Sequence, residues 1–376
     1  MRIAFHTPLN LLDDGGVSGD RRMARQLVAA LRSLGHAVDP VVAPRFYLPG
    51  SDPACLSGLE ARAAQLRDDL LRGWNSGASP APDLWFTYHN YYRAPDLLGP
   101  ALAAARNIPY VTAEASDAPR RAQGEWARHT EHVRRGLAAG DVHFYFTERD
   151  RRGLEPWRRP ATALLPLPPF IGFDAAPPVH TAANAPPRLV TIAMMREGTK
   201  ENSYLALARI LARIRDRDWR LSIIGDGRRR AEVEQAFAAL PAGRVTFLGL
   251  LDRESALREL AAHDIFVWPG IREAYGLVYL EAQAVGLPIV AFDSGGVADT
   301  VEAGRTALLA EEGDEDAFAA CLSALLADPA RRRSMGEAAR LFALTERSPG
   351  KAAERLAEGL ALAQAHHRAK QHGAER

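Results

Sequence analysis

The stretch that decides the fold runs from Glu273 to Gly296 and reads EAYGLVYLEAQAVGLPIVAFDSGG. Its first half spaces apolar residues at helical intervals, and Gly286 followed by Pro288 indicates the end of a helix and the start of an apolar strand. The segment before it, DIFVWPG at 264–270, has the apolar run of another buried strand. A strand, a helix and a second strand in this order predict a parallel βαβ unit.

The same alternation occupies most of the chain. Further strands are predicted at 2–5, 37–43, 83–88, 109–113, 141–146, 188–194, 220–225, 244–249 and 306–310. A segment rich in proline and alanine, without helical spacing, interrupts the pattern at 174–187. We therefore expect an α/β fold of two Rossmann-like domains in tandem that face a cleft, with an N-terminal domain at 1–173, a linker at 174–187, a second domain at 188–345 and a C-terminal helix and tail at 346–376. Segment 44–79 is predicted to be irregular.

Composition narrows the class of protein. The 376 residues are 47% hydrophobic and 25% charged, which is usual for a globular protein. A net charge of +1 argues against nucleic acid as a partner. Cys55 and Cys321 are too few for a disulfide framework or a metal cluster. With neither a secretory signal pattern nor a spanning segment in the sequence, we expect a cytoplasmic location.

A helix is predicted to begin near Gly276, after DIFVWPG, and its N-terminus is suited to binding an anion. Its first backbone N–H groups lack partners and lie at the positive end of the helix dipole, an arrangement that binds phosphate. Glu273 precedes the helix and Glu281 lies about one turn inside it. Two carboxylates repel phosphate, so they are better suited to accept hydrogen bonds from neutral hydroxyls beside it.

Two cations follow the first strand of the second domain, in AMMREGTKENSY at 193–204. Arg196 and Lys200 are four residues apart, and both can reach one diphosphate. Only three of the 47 basic residues are lysine, so a lysine at a strand end is more informative than usual.

Glycines follow two other strands. Gly225 and Gly227 would begin a dinucleotide fingerprint, but position 230 is arginine, which excludes that reading. After the first strand, Gly15, Gly16 and Gly19 permit close approach of a ligand to the backbone. Gly19 is expected to begin a helix, with Asp20 or Arg21 directed into the cleft.

In the first domain, polar and aromatic side chains follow the third and fourth strands. Tyr88, His89, Tyr91 and Tyr92 offer stacking faces and a polar group, and Glu114 and Asp117 come after the next strand. We expect His89 and Glu114 to act on an acceptor. His129 and His132, in contrast, are predicted to lie on a solvated helix face.

The order of these residues resembles the donor-binding motif of retaining GT-B glycosyltransferases of family 4, also called glycosyl transferases group 1. That motif has two glutamates separated by seven residues around an aromatic–glycine–aliphatic triplet, here Tyr275, Gly276 and Leu277. The resemblance is dense over 188–345 and holds only in outline for the first domain. Here the Arg196–Lys200 spacing is one residue shorter than is common, Glu201 replaces the usual glycine, and the usual histidine near Glu114 is absent.

The resemblance implies a role for each residue. Glu281 would bind ribose, Glu273 would contact the donor sugar, and Arg196 and Lys200 would stabilise the leaving diphosphate. His89 and Glu114 complete the catalytic candidates. The implied donor-binding set is Gly16, Gly19, Gly225, Leu250, Tyr275, Gly276, Leu277, Val278 and Glu281.

The expected function is transfer of a sugar from a UDP- or GDP-type nucleotide sugar to a glycan or lipid-linked acceptor, as in polysaccharide biosynthesis, with retention and with neither metal nor cofactor. Three alternatives stay open: a nucleotide-sugar 2-epimerase on the same fold, a pyridoxal-phosphate sugar phosphorylase, and a catalytically silent nucleotide-sugar sensor. Arginines at 149, 151, 152, 158 and 159 suggest peripheral membrane contact, although acids between them oppose it.

Overall fold

The computed structural model describes residues 1–12, 18–181 and 184–374. The chain divides into two compact units. Unit 1 comprises Met1–Pro168 together with Pro349–Arg376, and unit 2 comprises Pro169–Ser348. The predicted linker at 174–187 lies within unit 2, where the amide of His180 donates to the carbonyl of Val285 at 2.8 Å.

Unit 1 is built on a parallel sheet with strand order β2-β1-β3-β4-β5-β6. Its strands are β1 (Arg2–His6), β2 (Ala37–Pro40), β3 (Leu84–Asn90), β4 (Tyr110–Ala115), β5 (Val142–Tyr145) and β6 (Ala163–Pro166). Its helices in this part of the chain are α1 (Gly19–Ser33), α2 (Pro53–Ser76), α3 (Gly99–Arg106), α4 (Ala127–Ala139) and α5 (Glu148–Leu154). Every residue of β3 is buried, as expected for a strand covered on both faces.

Unit 2 repeats this architecture with strand order β12-β11-β10-β7-β8-β9. Its strands are β7 (Arg188–Ile192), β8 (Arg220–Ile224), β9 (Val245–Gly249), β10 (Ile265–Val267), β11 (Ile289–Asp293) and β12 (Ala307–Glu311). Its helices are α6 (Thr199–Arg213), α7 (Arg230–Phe237), α8 (Arg253–Ala261), α9 (Leu277–Val285), α10 (Glu315–Ala327) and α11 (Pro329–Thr345). The prediction of two Rossmann-like α/β domains is confirmed.

Two local predictions were wrong. Segment 44–79 is not irregular, since it contains α2, a helix of 24 residues. Its helical spacing was hard to see because its apolar face is sparse, with Leu56 and Ala63 as its fully buried apolar residues. Strand β6 was not predicted, because its four residues adjoin the proline-rich stretch and three of them are only half-buried.

The last helix, α12 (Pro349–Ala374), returns to unit 1 and packs on α1 and on strands β4 to β6. Gly359 marks the closest approach, because a Cβ atom there would overlap the ring of Phe144 and would lie against Leu165. No helix in the described ranges is both long enough and apolar enough to cross a bilayer.

We predict that Gly359→Ala destabilises unit 1 by about 1–3 kcal/mol, the usual cost of overpacking. Gly58→Ala is the matched control, since Gly58 also lies inside a helix of unit 1 and nothing lies within 4 Å of a Cβ atom there. We expect that control to stabilise the unit by about 0.5–1 kcal/mol through helix propensity. Urea denaturation measures the free energy of unfolding of both variants. An equal change in the two variants would contradict the packing of α12 on β5.

Candidate functional site

Lys200 and Glu273 form an ion pair at the carboxyl edge of the unit 2 sheet. Lys200 lies in the first turn of α6, which follows β7, and Glu273 lies on the loop between β10 and α9. The side chains of Lys200 and Glu273 are 17% and 15% exposed, so both are largely withdrawn from water. The Lys200 ammonium also lies 5.7 Å from the centre of the buried Trp268 ring. The structure therefore brings two of the predicted catalytic residues together.

The loop that carries Glu273 is fixed through its backbone. Gly296 donates its amide to the Glu273 carbonyl at 2.9 Å, and the Glu273 amide donates to the Gly270 carbonyl at 3.0 Å. Gly295 has φ +64° and passes so close that a Cβ atom there would overlap the Glu273 carbonyl oxygen. The glycine pair after β11 is thus required by contact with the loop after β10.

The first turn of α9 is open to an anion. Its N-cap is Gly276 at φ +74°, no side chain caps it, and the first turn contains no acid. The preceding backbone is held in place by Thr300, whose hydroxyl donates to the Tyr275 carbonyl at 2.7 Å. Leu277 is buried and Val278 is half-buried. The backbone amides that were predicted to bind the diphosphate therefore lie at the start of a well-packed helix.

Helix α6 also begins without a capping side chain, at Gly198 with φ +92°. Arg196 precedes it, and its side chain is exposed rather than paired in the described chain. Unit 2 therefore presents two uncapped helix starts and two cations, Arg196 and Lys200, on the same edge of its sheet.

Glu201, the departure from the common lysine–glycine pair, has a structural explanation. Its carboxylate accepts from Arg229 at 2.6 and 2.9 Å and is only 11% exposed. Its amide donates to the Arg196 carbonyl at 3.2 Å. Two guanidinium hydrogen bonds thus hold Glu201 in an ion pair with Arg229.

Glu281 forms an ion pair that sequence reasoning missed. It lies 3.5 Å from the guanidinium of Arg253, the first residue of α8. Arg253 also donates to the Gly172 carbonyl at 2.7 Å and lies over the Phe173 ring at 4.8 Å. The family motif is defined by its glutamates, so nothing in the local pattern signalled the arginine that orients one of them.

The remaining unit 2 candidates are glycines and an exposed leucine. Gly225 and Gly227 have φ +139° and +156°, and Cβ atoms there would overlap the carbonyl oxygens of Ala193 and Met195. Their role in the structure is therefore the close approach of the segment after β8 to the segment after β7. Leu250 follows β9 and is 59% exposed, which leaves its side chain available to a ligand.

In unit 1, His89 and Glu114 lie at the ends of neighbouring strands β3 and β4. The register pairs Tyr88 with Ala113 and Asn90 with Ala115, so His89 and Glu114 occupy the same level of the sheet. Both have left-handed backbone, with φ +68° and +54°. For residues other than glycine such a conformation costs about 1–3 kcal/mol each, and such strain concentrates at functional sites. The structure thus brings together the two predicted acceptor-side residues.

The environment of this pair suppresses charge. His89 Nδ1 lies 3.6 Å from Glu114 Oε2, and neither His89 Nε2 nor Glu114 Oε2 has a hydrogen-bond partner among the described residues. Burial lowers the pKa of His89 to about 4, against an opposing effect of Asp20 on α1. Burial also raises the pKa of Glu114 well above its ordinary value.

The charged and polar groups around Glu114 come from three elements. The carboxylates of Asp20 and Asp150 raise its pKa further, while a hydrogen bond from Tyr88 and the charge of Arg149 oppose the shift. The net result favours a neutral carboxylic acid beside a neutral imidazole.

Aromatic rings extend from His89 across the same edge of unit 1. The rings of Tyr88 and His89 are 3.9 Å apart, Tyr91 follows at 6.3 Å from His89, and Tyr92 contacts Trp126 at 4.9 Å. The rings therefore lie together at this edge, but Tyr88 is buried at 1% exposure and offers no free stacking face.

The predictions for two glycines and two histidines of the first domain have different outcomes. Gly16 lies outside the described residues. Gly19 begins α1 as expected, after an N-cap at Ser18. His129 does not lie on a solvated face, because it is only 1% exposed, with Trp126 packed 4.8 Å from its ring. His132 pairs with Glu60 at 2.6 Å.

The arginine cluster considered for membrane contact is partly neutralised. Arg151 pairs with Glu148 at 2.6 Å and with Glu155 at 3.3 Å, and Arg158 pairs with Glu155 at 3.2 Å. These pairs reduce the charge available to an anionic surface.

Comparison with known proteins bears on the fold and the domain family. Residues 186–328 match the family model described as glycosyl transferases group 1. A GDP-mannose-dependent monoacylated alpha-(1-6)-phosphatidylinositol monomannoside mannosyltransferase of Corynebacterium glutamicum is 39% identical over 146 residues, which cover 37% of this chain and 38% of that protein. A GDP-mannose-dependent alpha-(1-6)-phosphatidylinositol monomannoside mannosyltransferase of Mycolicibacterium smegmatis is 33% identical over 202 residues, covering 49% of this chain and 53% of that protein.

Solved structures match over nearly the whole chain. Sucrose-phosphate synthase from Thermosynechococcus elongatus superposes with a TM-score of 0.70 at 19% identity, covering 95% of this chain and 97% of the other. An E. coli structure described as trehalose-6-phosphate bound with UDP-2-fluoro glucose gives a TM-score of 0.69 at 15% identity, covering 97% and 99%. At these identities the likeness shows the fold alone.

The chain has the GT-B fold over nearly its whole length, and residues 186–328 match the model of glycosyl transferases group 1. The resemblance inferred from the Glu273–Gly296 stretch is confirmed for this segment. The chain spans only about half, or less, of the curated relatives cited here, so its reaction and substrates are treated as a proposal below.

We predict opposite pH trends for two variants of the unit 1 pair. Because the pKa of the folded Glu114 lies well above its ordinary value of 4.5, the native state binds more protons than the unfolded state above that pH, and Glu114 costs stability as pH rises. Glu114→Gln removes this cost, and its advantage over wild type should grow as pH rises above about 4.5.

The contribution of His89 to stability changes with pH in the opposite direction. Its folded pKa of about 4 lies below the ordinary value of 6.5, so the unfolded state binds more protons between these two values and wild type loses stability as pH falls through that window. His89→Asn should therefore gain on wild type as pH falls, by up to about 1.4 kcal/mol per pH unit. Urea denaturation across pH measures both trends, and parallel curves for the two variants would contradict the assigned protonation states.

Proposed function

We propose that this protein transfers a sugar from a UDP- or GDP-type nucleotide sugar to a hydroxyl of a glycan or lipid-linked acceptor, with retention at the anomeric carbon and with neither metal ion nor cofactor. Unit 2 binds the donor and unit 1 binds the acceptor. The observation that carries the proposal is the Lys200–Glu273 pair beside the uncapped start of α9, with Glu281 one turn further along that helix.

Each part of this arrangement has a partner on a nucleotide sugar. The amides at the start of α9 and the ammonium of Lys200 suit the diphosphate, because both favour negative charge. The Glu281 carboxylate suits the ribose hydroxyls, and Glu273 suits a hydroxyl of the sugar. Two relatives are described as GDP-mannose-dependent mannosyltransferases, and a structural neighbour is described as bound with UDP-2-fluoro glucose, which supports a donor of this class.

When the donor binds, charged residues of the site must give up their present ion-pair partners. Lys200 is neutralised by Glu273 in the structure, and Glu281 is paired with Arg253. When a diphosphate approaches Lys200, the ammonium gains a doubly charged partner and the Glu273 carboxylate is released to accept from the sugar. The polar groups are thus satisfied both before and after binding, which limits the desolvation penalty.

The chemistry proposed is a single transfer. The bond between the anomeric carbon and the diphosphate oxygen breaks, the acceptor oxygen bonds to the same face of that carbon, and the acceptor proton passes to the leaving phosphate. Negative charge grows on the diphosphate as the bond breaks. Lys200, Arg196 and the α9 amides stabilise that charge from fixed positions, a form of electrostatic preorganisation.

We predict that Lys200→Ala lowers turnover at least about a hundredfold, the range for loss of one charge-stabilising group. The assay measures nucleoside diphosphate release from UDP- and GDP-sugars in the presence of monosaccharides, polyols and lipid-linked sugars. Lys351→Ala is the matched control, because Lys351 is exposed on α12 and forms an ion pair with its near neighbour Glu354. Near-normal transfer by Lys200→Ala would contradict the role of this residue.

Retention and metal independence are tested separately. We expect NMR of the product to show the anomeric configuration of the donor, and we expect full activity in excess EDTA because fixed cations stabilise the leaving group. An inverted product or a loss of activity reversed by Mg²⁺ or Mn²⁺ would overturn these parts of the proposal. Conversion of the donor sugar without any acceptor would instead indicate the epimerase.

A further inference from the structure

Some buried acids and histidines of unit 1 have hydrogen-bond partners for their polar atoms, whereas His6 Nε2 and both ring nitrogens of His129 have none among the described residues. Asp96 is fully satisfied, since it accepts from the hydroxyls of Thr87 and Tyr110 and from the amides of Leu98 and Gly99. His143 is also satisfied, with Thr112 Oγ1 at 2.7 Å and the Leu137 carbonyl at 3.0 Å. These residues stabilise the fold.

His89 and Glu114 do not fit that group. His89 is 5% exposed, yet its Nε2 atom has no partner in the described parts of the chain, and the same holds for Glu114 Oε2. An unsatisfied buried polar atom is costly, and the structure carries two of them side by side. Such atoms are expected where a ligand supplies the missing hydrogen bonds.

The backbone supports the same conclusion independently. His89 and Glu114 have φ +68° and +54°, values that glycine or asparagine adopts more easily. Two strained residues at one level of adjacent strands are maintained against stability. The carboxyl edge of a parallel sheet is also where such folds bind their ligands.

We propose that His89 and Glu114 form a preset subsite for a neutral sugar or polyol hydroxyl of the acceptor, with the carboxylic acid of Glu114 as hydrogen-bond donor and the imidazole of His89 as the second contact. This inference rests on the proposed transferase function and names the acceptor chemistry. It assigns the pair to hydroxyl binding rather than to a charged base.

The surroundings favour a hydroxyl over a charged group. A neutral acid and a neutral imidazole together offer a donor and an acceptor, which a hydroxyl satisfies completely. A carboxylate would meet the like charges of Asp20 and Asp150, and a charged ligand of either sign would incur a desolvation cost that a hydroxyl avoids. The rings of Tyr91 and Tyr92 beyond His89 add faces against which a sugar ring packs.

The test compares three substitutions in the transfer assay and in nucleotide titration. Glu114→Ala and His89→Asn should lower acceptor-dependent transfer about tenfold or more, as expected for loss of a buried hydrogen bond, and leave the nucleotide affinity proposed for unit 2 near wild type. Glu114→Gln should retain transfer within a few-fold, because the amide still donates. The control His143→Gln should lower the thermal midpoint and leave transfer per folded molecule unchanged.

The outcomes separate the two proposals. If Glu114→Gln is as inactive as Glu114→Ala, Glu114 acts as a carboxylate base and the inference is wrong. If all three variants transfer like wild type, the subsite is wrong while the transferase function stands. If the wild-type protein neither binds a nucleotide nor consumes a donor, the proposed function fails and this inference fails with it. Thermal midpoints at or above that of wild type for His89→Asn and Glu114→Gln would exclude misfolding as the cause.

Discussion

The constraint on which the rest of unit 2 depends is the backbone contact between the loop after β10 and the glycine pair after β11. The Glu273 carbonyl accepts from the Gly296 amide, and Gly295 has no room for a side chain against it. Because that loop is fixed, Glu273 meets Lys200 and α9 begins without a cap. Parallel strands then place the loops after β7, β8 and β9 along the same edge, where the donor-binding candidates of unit 2 lie.

Three glutamates of unit 2 are each neutralised by a cation of the same unit. Glu273 pairs with Lys200, Glu281 with Arg253, and Glu201 with Arg229. Each pair joins residues from different elements. The site is thus preorganised, and a ligand exchanges partners rather than ordering loose side chains, which lowers the cost of binding. Unit 1 differs, since its His89–Glu114 pair is uncharged and strained.

Much of the fold could be predicted from the sequence because buried parallel strands are short apolar runs and their helices are amphipathic. Helix α9 was predicted almost to its residue from Gly276, Gly286 and Pro288. Helix α2 and strand β6 were missed because one has a sparse apolar face and the other adjoins prolines. The site was recognised by the spacing of Glu273 and Glu281. Arg253 was missed, since it comes from a distant helix and no local pattern connects it with Glu281. The strain at His89 and Glu114 was also inaccessible, because left-handed backbone at residues other than glycine leaves no mark in the sequence.

The most direct test of the account is calorimetric titration of the protein with UDP, GDP and ADP, in parallel with Glu281→Ala and the control Glu254→Ala. Glu254 is 83% exposed on α8 and pairs with Arg258. The account predicts saturable binding of one nucleotide at micromolar concentration, about −8 kcal/mol, weakened by Glu281→Ala and unchanged by the control. Absence of binding by all three nucleotides, or equal binding by Glu281→Ala and wild type, would contradict the assignment of unit 2 as the donor-binding unit.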